Sequence, residues 1–261
     1  MSFTTKEYPS SRVATFDVGV IGGKKHHVIG LVEADVTLAR QRIRECIRSG
    51  RKISFNSWIV KVIGDTIAEN RSVHAINFKR RRQVVFDDVD VSIPVEREVG
   101  GMKVPLVGVI RSANTKSIED IHEEIEKMKG ATVDSTKDYV LTENKNRLSK
   151  FFFSMPQWLR LIVWKLILRT PFSTRQSIGT AMVTNAGMAG DFSGWIIPRS
   201  IHNLCIGLGS ICRKPWVHAG KVEIRSILNL TILVDHDVVD GVSAAKFALD
   251  LVREIERAAE L

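Results

Sequence analysis

The 261-residue chain holds only three cysteines, Cys46, Cys205 and Cys212, widely separated and never in a Cys-x-x-Cys pair. That excludes a disulfide framework and implies a reducing, cytoplasmic setting. It also lacks the marks of export or membrane spanning. The opening MSFTTKEYPS has neither the basic start nor the apolar run of a secretory signal, and no stretch of about eighteen uncharged apolar residues occurs. No Pro-, Gly- or Ser-rich linker and no internal repeat divides it, so residues 1–261 are expected to form one domain. The glycine-rich pieces Gly19–Gly23 and Gly207-Leu208-Gly209 complete neither a dinucleotide fingerprint nor a phosphate-binding loop. A Gly-x-Ser-x-Gly nucleophile elbow is missing too. His26 and His27 are adjacent, poor spacing for two ligands to one ion, and no metal site is expected.

What is present is an ordinary globular composition, 44% hydrophobic and 26% charged, with a net charge of +9 that favours anionic partners. Val28–Val32 reads as a strand, followed by a helix carrying Ala39, Ile43, Cys46 and Ile47 on one face, capped by Asp35 or Thr37 and closed by Gly50. A second helix over 56–69 has the stripe Ile59, Ile63, Thr66 and Ile67. Val84–Phe86 and the alternating Val89, Val91, Ile93 and Val95 read as paired strands, with Val104–Ile110 a further one. Ser117 and Asp120 start a helix whose apolar face is Ile118, Ile121, Ile125 and Met128. Strands resume near 180–183, 204–208 and 222–234, and a last helix places Ala244, Ala248, Leu251, Val252 and Ile255 together. This mixture predicts an α/β or α+β sandwich.

Two basic features need separate readings. Lys79-Arg80-Arg81-Arg82 has no interleaved aromatic residues and no nucleic-acid motif, which favours a solvated hairpin over nucleic-acid binding. Residues 130–178 are atypical and contain a hydrophobic, basic stretch, Phe151 to Arg169, in which Trp158, Leu161, Ile162, Lys165 and Leu166 fall at helical spacing. A core or subunit-contact helix with snorkelling cations is preferred there to a membrane-surface helix.

The junction Leu233-Val234-Asp235-His236-Asp237-Val238-Val239-Asp240-Gly241 joins an alternating strand to the last helix. An imidazole at a strand end can reach a cleft and take a proton from a thiol or hydroxyl. From this segment alone, a structural histidine and a catalytic one are equally compatible. The segment resembles the His-containing, Asp-Gly-terminated signature of the dihydrolipoamide acyltransferases and the related chloramphenicol acetyltransferases. Other segments are similar in the same order: Asp35-Val36-Thr37, Asp90-Val91-Ser92-Ile93-Pro94-Val95, Arg111-Ser112-Ala113, Gly179 to Met188, and Gly207-Leu208-Gly209.

That resemblance implies a chloramphenicol acetyltransferase-like two-layer sandwich with a mixed β-sheet. It also implies a coenzyme A-dependent acyltransferase acting on a dihydrolipoyl-like thiol or a hydroxyl. His236 would be the general base, Thr184 the donor to the oxyanion and Asp240 the keeper of the catalytic turn. Asn185 and Gly187 would hold the hydroxyl in place, and Lys61 and, secondarily, the Lys79–Arg82 run would contact coenzyme A. The partners implied are two further copies in a trimer whose sites lie between subunits, a separate lipoyl-bearing carrier, since none is attached in this chain, and a dehydrogenase. Asp237 departs from the family's Arg, and a neighbouring carboxylate would favour imidazolium at His236. A non-catalytic trimeric scaffold is the alternative.

Overall fold

The structure, a computed structural model, describes residues 2–5, 12–99, 102–130, 152, 154–185 and 193–261. Eight strands are present among them: β1 (His27–Asp35), β2 (Ile76–Asn77), β3 (Gln83–Val84), β4 (Val91–Val99), β5 (Met102–Ile110), β6 (Ala181–Asn185), β7 (Leu204–His218) and β8 (Lys221–Asp235). Six of them form a central mixed sheet in the order β1-β8-β7-β6-β4-β5. β6 runs parallel to both β4 and β7, and the other pairings are antiparallel. After a first helix, α1 (Arg12–Gly22), four helices form the second layer: α2 (Thr37–Arg48), α3 (Phe55–Glu69), α4 (Ile118–Gly130) and, at the end of the chain, α7 (Gly241–Glu256). One continuous core joins Trp58, Ile63, Ile121, Phe247 and Leu251 of these helices to strand residues such as Leu204, Ile206 and Leu230. The expected two-layer α/β sandwich with a mixed sheet is the observed fold.

The local reasons are those of the sequence. Ser54 caps α3 by accepting from Ser57 N at 3.1 Å, and Ser57 Oγ accepts from Ser54 N at 2.9 Å. α3 is buried on more than its predicted stripe, since Trp58, Val60 and Val62 are covered as well, because α4 and α7 pack against it. Ser117 and Asp120 cap α4 reciprocally. Gly207 and Gly209 are small for a steric reason: a Cβ there would meet Ile196 O at 2.9 Å and Gly194 O at 2.6 Å. They let residues 194–198 cross the sheet at close range.

Gly19 and Gly22 belong to α1, a helix for which the sequence reading made no assignment. Three expectations are corrected. The segment at Val84 pairs not with β4 but with Ile76–Asn77, so that β2 and β3 make a separate two-stranded hairpin. Ile47 is about half exposed, so only Ala39 and Ile43 of its stripe are buried. Finally, β7 continues past the expected 204–208 to His218, pairing with β8, whose expected span of 222–234 holds, in a ribbon closed by Ala219 and Gly220, both at positive φ.

The atypical segment supplies α5 (Gln157–Ile167) and α6 (Pro171–Ile178), with residues 131–151 and 153 outside the described residues. α5 packs on α1 over a small core of Trp164, Ile178 and Ile201, separate from the main one. The core-helix expectation holds for Arg160 and Trp164 but not for the predicted face, since Trp158, Ile162 and Leu166 point to solvent.

Candidate active site

β8 delivers its last residue, Asp235, into a buried position, and the chain then turns. Val238 N and Val239 N donate back to Asp235 O at 2.9 and 3.1 Å, and Asp237 N donates to Asp235 Oδ1 at 3.3 Å. Lys25 Nζ reaches Asp235 Oδ2 at 2.9 Å and also Asn203 Oδ1. Burial raises the Asp235 pKa, but the Lys25 hydrogen bond and charge outweigh it and hold the carboxyl below the usual range. The turn therefore hangs on a partly buried ion pair.

On this turn His236 is exposed. Its backbone N donates to His26 O at 3.0 Å, which ties the turn to the start of β1, while its ring hydrogen-bonds to no described residue. An accessible, unengaged imidazole on a rigid turn is suited to taking a proton from a bound group. The Asp237 carboxylate faces elsewhere: both its oxygens lie 3.0 Å from His26 Nδ1. That hydrogen bond, reinforced by charge, raises the His26 pKa. The carboxylate expected to disturb His236 is engaged by a different histidine.

Asp240 caps α7. Its Oδ1 accepts from Val242 N and Ser243 N, each at 2.9 Å, and its Oδ2 accepts from Ser243 Oγ at 2.7 Å. Ser243's backbone hydrogen bond is the largest cause of its lowered pKa. The same turn is held from outside by the β2–β3 hairpin, whose Asn77 and Gln83 side chains donate to Asp237 O at 3.5 Å and Val238 O at 2.8 Å. Lys79, Arg81 and Arg82 of that hairpin line, with Asp237, an open cleft of about 570 Å³. The sequence favoured a solvated hairpin here, with a phosphate contact as the second reading; only the fold places the run beside the His236 turn.

Thr184 sits near the far end of β6. It pairs with Gly207, which pairs with Thr231, five residues before His236. At ~3.3 Å per residue and ~4.8 Å per strand, His236 and Thr184 of one chain stand on the order of 20 Å apart. The structure does not bring them together within a subunit. Beside Thr184, Asn185 Nδ2 donates to Asn56 Oδ1 at 2.9 Å, fastening the end of β6 to the first turn of α3. Gly187 lies outside the described residues. Lys61 is nearly buried in the helical layer, where its ammonium donates to Asp65 Oδ1 at 2.8 Å and Asn114 O at 3.0 Å. Among the described residues no group of three His, Cys, Asp or Glu side chains could hold a metal ion.

Asp90 organises the central strands. Its carboxylate accepts from Ser112 N at 2.9 Å, Arg111 at 3.0 Å and Arg175 at 2.9 Å. Burial pushes its pKa up, and these donors, Arg175 first, bring it below the ordinary value. Nothing in the sequence pattern alone couples Arg175 to Asp90.

A mixed sheet backed by four helices, with a histidine on the turn after its last long strand, makes the molecule a two-layer α/β sandwich. Residues 25–138 and 174–261 match the model of the 2-oxoacid dehydrogenases acyltransferase (catalytic domain) family, and the chain belongs to that family. It is similar to the dihydrolipoyllysine-residue acetyltransferase component of the pyruvate dehydrogenase complex of Acholeplasma laidlawii, at 29% identity over 120 residues, 46% of this chain and 22% of the relative. The corresponding component of Mycoplasma pneumoniae is 27% identical over 211 residues, 80% of this chain and 43% of the relative. The chain thus spans less than half the length of these curated relatives. Among solved structures, the truncated catalytic core of the 2-oxoacid dehydrogenase multienzyme complex from Thermoplasma acidophilum superposes with a TM-score of 0.63 at 18% identity, covering 99% of this chain and 100% of that one. The cubic core of the pyruvate dehydrogenase multienzyme complex gives 0.67 at 16%, covering 98% and 92%. A chloramphenicol acetyltransferase gives 0.52 at 11%, covering 99% of each. These likenesses establish the chloramphenicol acetyltransferase-like fold.

Proposed function

We propose that the protein is a coenzyme A-dependent acyltransferase that moves an acyl group between coenzyme A and a thiol of the dihydrolipoyl type, a hydroxyl being the other acceptor its chemistry allows. The observation that carries this reading is the unengaged, exposed His236 on a turn fixed by Asp235, Lys25 and Asp240, in a chain of the acyltransferase family.

His236 takes the proton of the attacking thiol as the sulfur adds to the thioester carbonyl. The developing oxyanion accepts a hydrogen bond from the Thr184 hydroxyl, and collapse of the tetrahedral intermediate expels the other thiolate, which recovers the proton from His236. The ~20 Å between His236 and Thr184 in one chain supports a site shared by neighbouring subunits of a homotrimer. The exposed Val217, Val222 and Ile224 of the β7–β8 ribbon supply apolar surface for subunit contact. Lys79, Arg81 and Arg82 form a cationic wall beside the His236 turn that suits the phosphates of the donor.

Single-domain organisation over 1–261, a lipoyl-bearing carrier and a dehydrogenase partner belong to the same reading, supported by the dihydrolipoyllysine residue and the pyruvate dehydrogenase complex named for the relatives. A reducing, cytoplasmic compartment is supported by three free thiols. No helix among the described residues is long and apolar enough to cross a membrane.

The test is calorimetric titration of coenzyme A and acetyl-coenzyme A, with transfer to dihydrolipoamide measured beside it. Binding and turnover are expected for the wild type, with the His236→Ala rate lower by ~10²–10⁴-fold. Undiminished transfer by His236→Ala would remove the histidine mechanism. Absence of any binding or transfer would leave a trimeric scaffold that keeps the fold.

A further inference from the structure

Residues 139–173 fall between the two stretches that match the family, and α5 comes from them. One face of α5 is fixed to the body. Arg160 Nε and Nη2 donate to the two oxygens of Asp17 in α1 at 2.8 and 2.9 Å, with 5% and 0% of the two residues exposed. Arg160 Nη1 also donates to Met155 O at 2.6 Å, and Trp164 is packed into the small core below. So firm a seat on the inner side fixes what the outer side presents.

That outer side carries Trp158, Ile162 and Leu166 at successive helical turns, exposed by 65, 47 and 59%. Lys165 and, just beyond the helix, Arg169 are exposed among them and form no ion pair with any described residue. From 151 to 178 the sequence contains no Asp or Glu. Three neighbouring large apolar side chains in water mark a contact surface, and the charges decide its partner. Two copies of this face brought together would oppose Lys165 and Arg169 with no carboxylate between them. An anionic bilayer supplies what the face lacks: phosphates for the two cations, an acyl boundary for Ile162 and Leu166, and the headgroup level where a Trp ring settles. At ~1.5 Å per residue the 11-residue helix is ~16 Å long. That is about half the hydrocarbon thickness, so it can lie in the interface but cannot span it.

We propose that α5 is a peripheral docking helix that seats the protein on an anionic lipid surface through Trp158, Ile162 and Leu166, with Lys165 and Arg169 pairing lipid phosphates. This assignment does not depend on acyl transfer. The test is co-sedimentation of the intact protein with vesicles of phosphatidylcholine alone or mixed with phosphatidylglycerol, at low and high salt, with light scattering of the free protein alongside. The wild type is expected to pellet with the anionic vesicles and to bind at least ~10-fold more weakly at high salt. Trp158→Ser with Ile162→Ser should abolish pelleting at unchanged melting temperature and oligomeric state. Lys165→Glu with Arg169→Glu should remove the preference for anionic vesicles. No pelleting of the wild type at low salt would overturn the proposal, as would binding that survives the Trp158/Ile162 exchange. Dissociation of the free oligomer by that exchange would overturn it too, by making this face a subunit contact.

Discussion

His236 and Asp240 stand four residues apart and do different work. His236 presents a free ring, whereas both carboxylate oxygens of Asp240 hold the first turn of α7. Asp240→Ala is therefore expected to lower the melting temperature, because the first N–H groups of α7 lose their cap. Asp240→Ser should recover most of the loss, and paired thermal melts read the difference. His74 and His202 are a second residue-scale case. Burial depresses both to about 4, from 6.5 for the free side chain, and leaves their rings bonded to Thr180 and Phe86 O, and to Ser200 and Ile178 O. Between pH 6.5 and about 4 the unfolded chain binds protons at these sites that the folded chain refuses. Stability is thus full above that window and falls as pH drops through it; melting temperatures that stay level across it would contradict the burial of these rings. The candidacy of His236 was legible from its motif. That Asp237 turns to His26 was not, because it depends on the β1–β8 register that sets His27 opposite Asp235.

At the scale of elements, α2, α4 and α7 were readable because one face of each meets the core, and a 3.6-residue period records that. α3 gave only part of its burial, since it is covered by neighbours distant in sequence. α1 was hidden by its glycines, and the hairpin partner of Val84 by its short, two-residue strands. The far half of β7 was missed where it pairs only with β8, away from the core that gives strands their pattern, whereas β8 was legible over nearly its whole length. The α1–α5 contact yields a prediction of its own. Arg160→Ala leaves Asp17 as an uncompensated charge at 0% exposure, which should cost ~3–5 kcal/mol. Replacing the pair together, with Asp17→Leu and Arg160→Met, should cost far less. Chemical denaturation of the two variants separates these outcomes, and equal losses would mean that the ion pair is not what joins the helices.

At the scale of the whole molecule, the sheet topology sets the two halves of the proposed site at opposite ends of their strands. The register of β6, β7 and β8 fixes that distance, and no local pattern encodes it. The motifs named the two residues; only the pairing shows that one chain cannot close them around the same thioester. The most direct test is subunit mixing. His236→Ala and Thr184→Val proteins, each expected to be nearly inactive alone, are co-expressed and assayed for acyl transfer to dihydrolipoamide. Random assembly gives each interface one chance in two of a sound residue on either side, so about a quarter of the wild-type rate should return in the mixture. No gain over the separate variants would contradict a site built by neighbouring subunits.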